Sequence, residues 1–301
     1  MSSTTARHIV VAINPRASFG KNEHAGAEVA RLLAAAGHDV VALREDDYPA
    51  LEISAREALG PASVLVVVGG DGMVHLGANL AREKQVALGI IPAGTGNDLA
   101  RHLGLPLGSI PEATAHLIRA LESNPRQIDV GVATSPQGAE HPFACVFSAG
   151  FDALVNERAN TLRFIRGRHR YTVALLIELA KLRPITYTLT IDGVEETASY
   201  LLVAVANSQS FGGGMKVTPD ASLVDGMLDV FTLDPLSRLA FLRIYPRVFR
   251  GLHVSDPRVH IRQARSVWVE SDGIVAYADG ERLEALPLQV SIEPARLAVY
   301  A

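Results

Sequence analysis

The first third of the chain alternates two periodicities, and this limits the folds open to it more than any other feature. Short apolar, β-branched runs at 8–13, 40–43, 64–68 and 86–91 predict buried strands. Segments 23–36, 53–59, 77–84 and 111–122 between them carry helical spacing. Gly37 reads as the C-cap of the first helix, and Gly60-Pro61 closes the second. Strands that alternate with helices line up in parallel, with helices covering both faces of the sheet.

From Ile128 the texture changes to short alternating runs at 143–147, 185–191, 200–207, 228–233, 266–270 and 288–292. The turn signals Asp192-Gly193, Asp225-Gly226 and Asp272-Gly273 punctuate them. This predicts a mainly antiparallel β-sandwich with helical insertions near 171–182 and 236–248. The expected division is an α/β domain over 1–130, a sandwich domain over 131–292, and a C-terminal segment, 293–301, returning to the first domain. A hydrophobic share of 48% with 20% charged residues suits a chain that buries a full core. The net charge of −4 argues against nucleic acid as a partner. The single cysteine, Cys145, excludes an internal disulfide and a cysteine metal cluster, and reads as a small buried hydrophobe. Residues 1–7 lack the apolar core of a signal peptide, and no run approaches the roughly 18 apolar residues of a membrane span. A cytoplasmic location is expected.

Three predicted strands end in chemistry-bearing turns. Gly69-Gly70-Asp71-Gly72 follows the 64–68 run directly. Glycines permit the backbone angles that turn consecutive N–H groups toward an anion, and a helix N-terminus just beyond adds partial positive charge. Asp71 can ligand or orient Mg²⁺ near bound phosphates. The second loop, Pro92-Ala93-Gly94-Thr95-Gly96-Asn97-Asp98, offers the Thr95 hydroxyl, and Asn97 and Asp98 can position the loop or cap the helix beginning near Leu99. Asn14-Pro15 ends the first strand. In an open α/β sheet ligands bind at the carboxyl ends of strands, so the three turns are expected to converge on one crevice. Other phosphate motifs are absent. Gly20-Lys21 lacks the upstream glycine and following hydroxyl of a P-loop, and no strand is followed by Gly-x-Gly-x-x-Gly. Asn14 stands after Val11-Ala12-Ile13, where a protein kinase has its lysine.

These loops, extended through Asp98-Leu99-Ala100-Arg101, resemble the diacylglycerol kinase family in its bacterial soluble branch, a family that also holds sphingoid and ceramide kinases. Gly150-Phe151-Asp152-Ala153 resembles a family signature, as do Asn207 with Phe211-Gly212-Gly213-Gly214-Met215, Pro219-Asp220-Ala221, and Asp225-Gly226-Met227-Leu228-Asp229. Asp279-Gly280-Glu281 completes the set, which runs from about Ile9 to the C-terminus. The glycine loop alone is shared with NAD kinases and phosphofructokinases; the C-terminal set is far more specific.

The resemblance implies an NAD-kinase-like and diacylglycerol-kinase-like α/β domain, a sandwich domain, and a nucleotide in the cleft. It places ATP on Asn14 and Pro15, on Gly69, Gly70, Asp71, Gly72, Met73, Val74 and His75, and on Thr95. It makes Glu281 the acceptor of the lipid hydroxyl's proton, with Asp279 beside it in the catalytic pair; Asp279 and Asp71 stay open as alternative bases. It also implies a structural Mg²⁺ on the Asp225 carboxylate and the backbone carbonyls of Ser222 and Met227. The chain departs from the family's pattern just after the glycine loop, where Met73, His75 and Leu76 replace the usual Thr and Asn-Glu pair. His75 reads as a partly exposed helix histidine.

The expected activity is ATP-dependent phosphorylation of the diacylglycerol hydroxyl, giving phosphatidic acid. A sphingoid-type lipid, a soluble metabolite such as NAD, and a non-enzymatic nucleotide- or lipid-sensing role are the competing readings. A lipid substrate implies peripheral contact with an anionic membrane. Arg163, Arg166, Arg168 and Arg170 before the 171–182 helix are candidates for it. Arg238, Arg243, Arg247 and Arg250, around the 236–248 helix, read instead as a solvent-facing cap on the second domain. The edge of an all-parallel domain can support a homodimer.

Overall fold

A computed structural model describes residues 6–14, 24–161, 173–174 and 177–301. Pro15, Gly20-Lys21, and Arg163, Arg166, Arg168 and Arg170 lie outside the described residues, as does part of the 171–182 segment, of which 173–174 and 177–180 are helical. The chain divides into two units, Met1–Asp129 with Pro294–Ala301, and Val130–Glu293.

The first unit runs β1 (His8–Ile13), α1 (Ala25–Ala35), β2 (Asp39–Leu43), α2 (Tyr48–Ala58), β3 (Val64–Gly69), α3 (Asp71–Lys84), β4 (Ala87–Pro92), α4 (Asp98–His102) and α5 (Ile110–Ala120). Its strands lie in the order β2-β1-β3-β4, every pair parallel. Val299 and Tyr300, at the end of the chain, extend the sheet parallel to β4 at Leu88 and Gly89. Adjacent residues of a strand point to opposite faces, and β3 shows what covers each. Val67 meets α3 at Gly77, where an added Cβ would lie 2.4 Å from its Cγ1. Val66 shares the other face with Gly89 and with Leu117 of α5, 3.1 and 3.0 Å from a Cβ built on Gly89. Helices therefore cover both faces. The α1–α5 side buries Ile9, Val11, Leu33, Val66 and Leu117 in one cluster. Polar caps start two of the helices: the Asp47 carboxylate accepts the Ala50 N–H at 2.9 Å, and Ser109 Oγ accepts that of Glu112 at 3.3 Å.

The second unit takes over within β5 (Arg126–Thr134). It continues through β6 (Glu140–Phe143), β7 (Val146–Gly150), α6 (Phe151–Thr161), β8 (Ile185–Ile191), β9 (Val194–Tyr200), β10 (Leu202–Ala206) and β11 (Leu228–Leu233). There follow α7 (Arg238–Val248), β12 (Val259–Ala264), β13 (Ser266–Glu270), β14 (Val275–Ala278), β15 (Glu281–Ala285) and β16 (Leu288–Tyr300), which ends in the first unit. One sheet has the antiparallel order β12-β11-β10-β7-β14-β15. The other pairs the start of β16 with β13, β13 with β8 and β8 with β9, also antiparallel. Phe143, Phe147, Val203, Val230 and Ala276 join Tyr187, Val267 and Leu288 in a single buried core. This is the expected sandwich.

Several local features differ from the sequence expectation; α2, for one, begins at Tyr48 rather than Ile53. The apolar run 143–147 is not one strand; it breaks at Ala144-Cys145, between β6 and β7. The last strand does not stop at Ile292. It continues past Pro294 to Tyr300; Ala295 has φ 50°, and its N–H donates to the buried Asp129 carboxylate at 2.7 Å. Helix α3 begins at Asp71 rather than Gly77, because packing of Met73, Val74 and Gly77 overrides the weak helix propensity of its glycines.

Candidate functional site

In the first unit the two glycine loops touch backbone to backbone. A Cβ on Gly94 would lie 2.3 Å from Gly70 Cα, and one on Gly70 3.0 Å from Gly94 Cα. A side chain at Gly94 would collide with backbone and one at Gly70 would press on it, so glycine here serves close approach. Asp71 fastens the same contact: its Oδ2 accepts the Asn97 N–H at 3.0 Å and its Oδ1 the Asp98 N–H at 2.8 Å. Burial, then the neighbouring Asp98 carboxylate, push the Asp71 pKa up, while the N–H groups of Asp98 and Asn97 pull it down. Asn97, in the left-handed region at φ 56°, clamps the second loop. Its Oδ1 accepts the Gly94 N–H at 3.1 Å and its Nδ2 donates to the Gly94 carbonyl at 2.8 Å. Arg101 Nη2 donates to the Gly96 carbonyl at 3.1 Å. Thr95 stands exposed at the tip.

Asn14 joins this group at the end of β1. Its N–H donates to the Val68 carbonyl at 3.3 Å, its Oδ1 accepts the Tyr48 hydroxyl at 3.2 Å, and its Cβ is 3.5 Å from a Cβ built on Gly69. Met73, where the family's pattern has Thr, is fully buried against Gly69, 2.4 Å from that built Cβ to Met73 Cγ. Its N–H donates to the Gly70 carbonyl at 2.9 Å and closes the first turn of α3, so it is not aimed outward as a phosphate donor. Val74 is buried as well, and His75 is half-buried with Nε2 3.1 Å from Asn79 Nδ2. Asn14, Gly69, Gly70, Asp71, Gly72 and Thr95 are thus brought together around the first turn of a 14-residue helix, a surface of backbone dipoles suited to an anion. Asn97 and Arg101 complete it; both stand in the second loop's family-like motif, and nothing local marked Tyr48.

In the second unit the Asp279-Gly280 turn, with φ of 50° and 87°, joins β14 to β15 and puts Glu281 at the first position of β15. The Asp279 carboxylate accepts three backbone N–H groups, from Ala144 at 2.8 Å, Cys145 at 2.9 Å and Val146 at 3.1 Å. This explains the break between β6 and β7, where these N–H groups turn to Asp279 instead of a strand. Asn207, fully buried, fixes the same segment from its other side. Its Nδ2 donates to the Ala144 carbonyl at 2.9 Å and its N–H to that of Cys145 at 2.8 Å. Glu281 is exposed, and among the described residues nothing hydrogen-bonds to its carboxylate. Asp279 is a positioning group here, and Glu281 is the one whose oxygens are open to a ligand.

The Asp225 turn is a separate place in the same unit. Asp225 Oδ1 accepts the Met227 N–H at 3.0 Å, and Oδ2 accepts from Gln263 Nε2 at 3.2 Å. Asp229, 6% exposed on β11, has its pKa pushed up to about 6 by burial and by the nearby Asp225 and Asp220 carboxylates. Crowded negative charge of this kind is what a hard cation neutralises. Among the described residues no three His, Cys, Asp or Glu side chains converge as a metal cluster.

Comparison with known proteins agrees with these two halves. The model of the diacylglycerol kinase catalytic domain matches residues 8–133, and that of the YegS C-terminal NAD kinase beta sandwich-like domain matches residues 145–301. A diacylglycerol kinase of Mycobacterium tuberculosis strain H37Rv is 39% identical over 94% of this chain and 87% of its own. One of Bacillus subtilis strain 168 is 30% identical over 78% of this chain and 76% of its own. A Pseudomonas aeruginosa protein named "Probable lipid kinase YegS-like" is 28% identical, covering 93% of this chain and 90% of its own. The crystal structure of a diacylglycerol kinase from Bacillus anthracis superposes with a TM-score of 0.71 at 20% identity, over 98% of this chain and 96% of that one. A second crystal structure from the same organism reaches 0.80 at 21% identity, over 100% of this chain and 96% of its own.

Proposed function

Because the chain belongs to the diacylglycerol kinase family and is a kinase phosphotransferase, we propose that it phosphorylates the free hydroxyl of diacylglycerol with ATP, giving phosphatidic acid. The observation that carries this is the pair of touching glycine loops held by Asp71 and Asn97, backed in the second unit by an anchored turn that presents an open carboxylate. The first unit takes the triphosphate on the N-terminus of α3, the Gly69–Gly94 loops, Asn14 and Thr95. Asp71 puts a negative charge at the same place, which favours a nucleotide arriving with Mg²⁺. Phosphoryl transfer has a loose transition state, so positioning and charge neutralisation matter more than covalent chemistry. The lipid oxygen attacks the γ-phosphorus, its bond to ADP breaks, and the hydroxyl proton passes to Glu281. Asp279 and Asn207 hold the turn from which Glu281 acts. A Mg²⁺ held by Asp225 and the carbonyls of Ser222 and Met227 would supply charge neutralisation to that loop.

The reading also implies peripheral contact with an anionic bilayer from the cytoplasmic side; among the described residues no helix is long and apolar enough to cross one. A homodimer through the edge of the parallel sheet is compatible with it. The test is transfer of labelled γ-phosphate from ATP to a panel of dispersed lipids, with NAD alongside. Incorporation into diacylglycerol is expected. Activity on a sphingoid base alone would move the assignment within the lipid kinases. Activity on NAD with none on any lipid would end it.

A further inference from the structure

Helix α7 carries two apolar stripes, and the fold uses only one. Phe241, Ile244, Tyr245 and Val248, at i, i+3, i+4 and i+7, turn inward, where with Phe151, Phe231 and His253 they line an apolar cavity of about 70 Å³. Phe241 packs edge-on against Phe151, ring centres 4.9 Å apart. Leu239, Leu242 and Phe249 lie on the outside and stay 69%, 50% and 44% exposed. At 3.6 residues per turn these three fall within an arc about 80° wide. The turn after the helix adds Leu252 and Val254, 48% and 42% exposed. An isolated exposed leucine needs no explanation, but five large apolar side chains exposed in sixteen residues mark an interaction surface.

Charge identifies what that surface meets. Residues 237–255 contain four arginines and no acidic residue, in a chain whose net charge is −4. Arg247 is spent inside the fold, donating to the Leu252 carbonyl at 2.8 Å and to Ser255 Oγ at 2.7 Å. Arg238, Arg243 and Arg250 are exposed. An apolar stripe flanked by guanidinium groups matches the boundary of an anionic bilayer, where apolar side chains reach the acyl region and arginines meet phosphate. A solvent-facing cap would need only the inner stripe.

We propose that the outer face of α7 and the turn behind it, through Leu239, Leu242, Phe249, Leu252 and Val254 with Arg238, Arg243 and Arg250, is the surface by which this protein docks on an anionic lipid bilayer. The surface deepens the lipid-kinase reading, on which its purpose rests, while its test needs no catalysis.

The experiment is flotation of the full chain with phosphatidylglycerol-containing vesicles and with pure phosphatidylcholine vesicles. The wild type is expected to float with the anionic vesicles and to be released by salt. Arg243→Gln with Arg250→Gln should weaken binding about thirtyfold, at about 1 kcal/mol per arginine. Leu239→Gln with Leu242→Gln and Phe249→Gln should abolish flotation, with the melting temperature unchanged because the inner stripe is intact. Flotation of this triple variant equal to wild type overturns the proposal, as does a folded wild type that ignores anionic vesicles. Loss of binding only on neutralising Arg163, Arg166, Arg168 and Arg170 overturns it too. A dimer in solution that the triple variant converts to monomer would assign the stripe to a second copy instead. A wild type that floats but phosphorylates no lipid separates failure of the activity reading from failure of this one.

Discussion

Two carboxylates, one in each unit, do the same structural work and leave different chemistry behind. Asp71 accepts the N–H groups of Asn97 and Asp98 and ties together two glycine loops. Asp279 accepts those of Ala144, Cys145 and Val146 and ties a hairpin tip to a neighbouring strand break. In the first unit the product is a surface of backbone, with Gly70 and Gly94 in direct contact. In the second it is a single side chain, Glu281, left exposed at the start of β15. A backbone surface tolerates side-chain drift around it, which is why Met73 can turn inward while the loops keep their shape. A site that depends on one carboxylate tolerates none.

The largest effect should therefore come from Glu281. Glu281→Gln is expected to lower kcat by about 10²–10⁴-fold, with the KM for ATP and the melting temperature unchanged. A kcat within a factor of three of wild type would break the contrast between the two regions. Next, Asp279→Ala strands three N–H groups in a buried segment and should cost roughly 3 kcal/mol of stability, seen in the urea midpoint. Unchanged stability there would mean that the turn holds itself. Gly94→Ala must force apart two backbones rather than a flexible side chain. It should cost about 1–3 kcal/mol and raise the KM for ATP, while kcat on bound nucleotide falls less. An unaltered KM would remove this loop from the nucleotide.

The smallest effect concerns charge near the Asp225 turn. With its folded-state pKa pushed up to about 6, Asp229 costs the folded state stability as it ionises, so stability falls as pH rises from about 4 through 6. Asp229→Asn should remove that loss and, in the presence of chelator at pH 7.5, stabilise the protein by about 1–2 kcal/mol after allowance for solvent screening. The advantage should vanish near pH 4, and Mg²⁺ should narrow it if the cation neutralises this cluster. Parallel melting curves of wild type and variant across pH would show it, and a constant offset would separate the effect from ionisation.

Much of this was readable along the chain. The strands 8–13, 185–191, 228–233 and 266–270 have the bounds their apolar runs predict, because a strand buried on its faces needs a continuous or alternating apolar set and little else. Strand β9 escaped notice because Glu195 and Glu196 lie in an edge strand whose Val194 is 72% exposed, so no apolar pattern marks it. The break at Ala144-Cys145 was hidden inside an unbroken apolar run, since its cause lies 134 residues away in Asp279. The outer stripe of α7 was equally hidden: apolar spacing shows that a helix has a face to bury, not which of two faces the fold covers.

The sequence by itself determined the alternation of strands and helices in the first unit, the parallel and antiparallel character of the two halves, and the strand-end glycines, because these follow from local periodicity and from backbone angles and contacts that exclude a side chain. Only the tertiary structure decided which carboxylates are held by backbone donors and which stay open. Asp71, Asp279 and Glu281 are alike as letters; their hydrogen-bond partners come from segments far away in the chain, and a carboxylate's chemistry is set by what surrounds its oxygens.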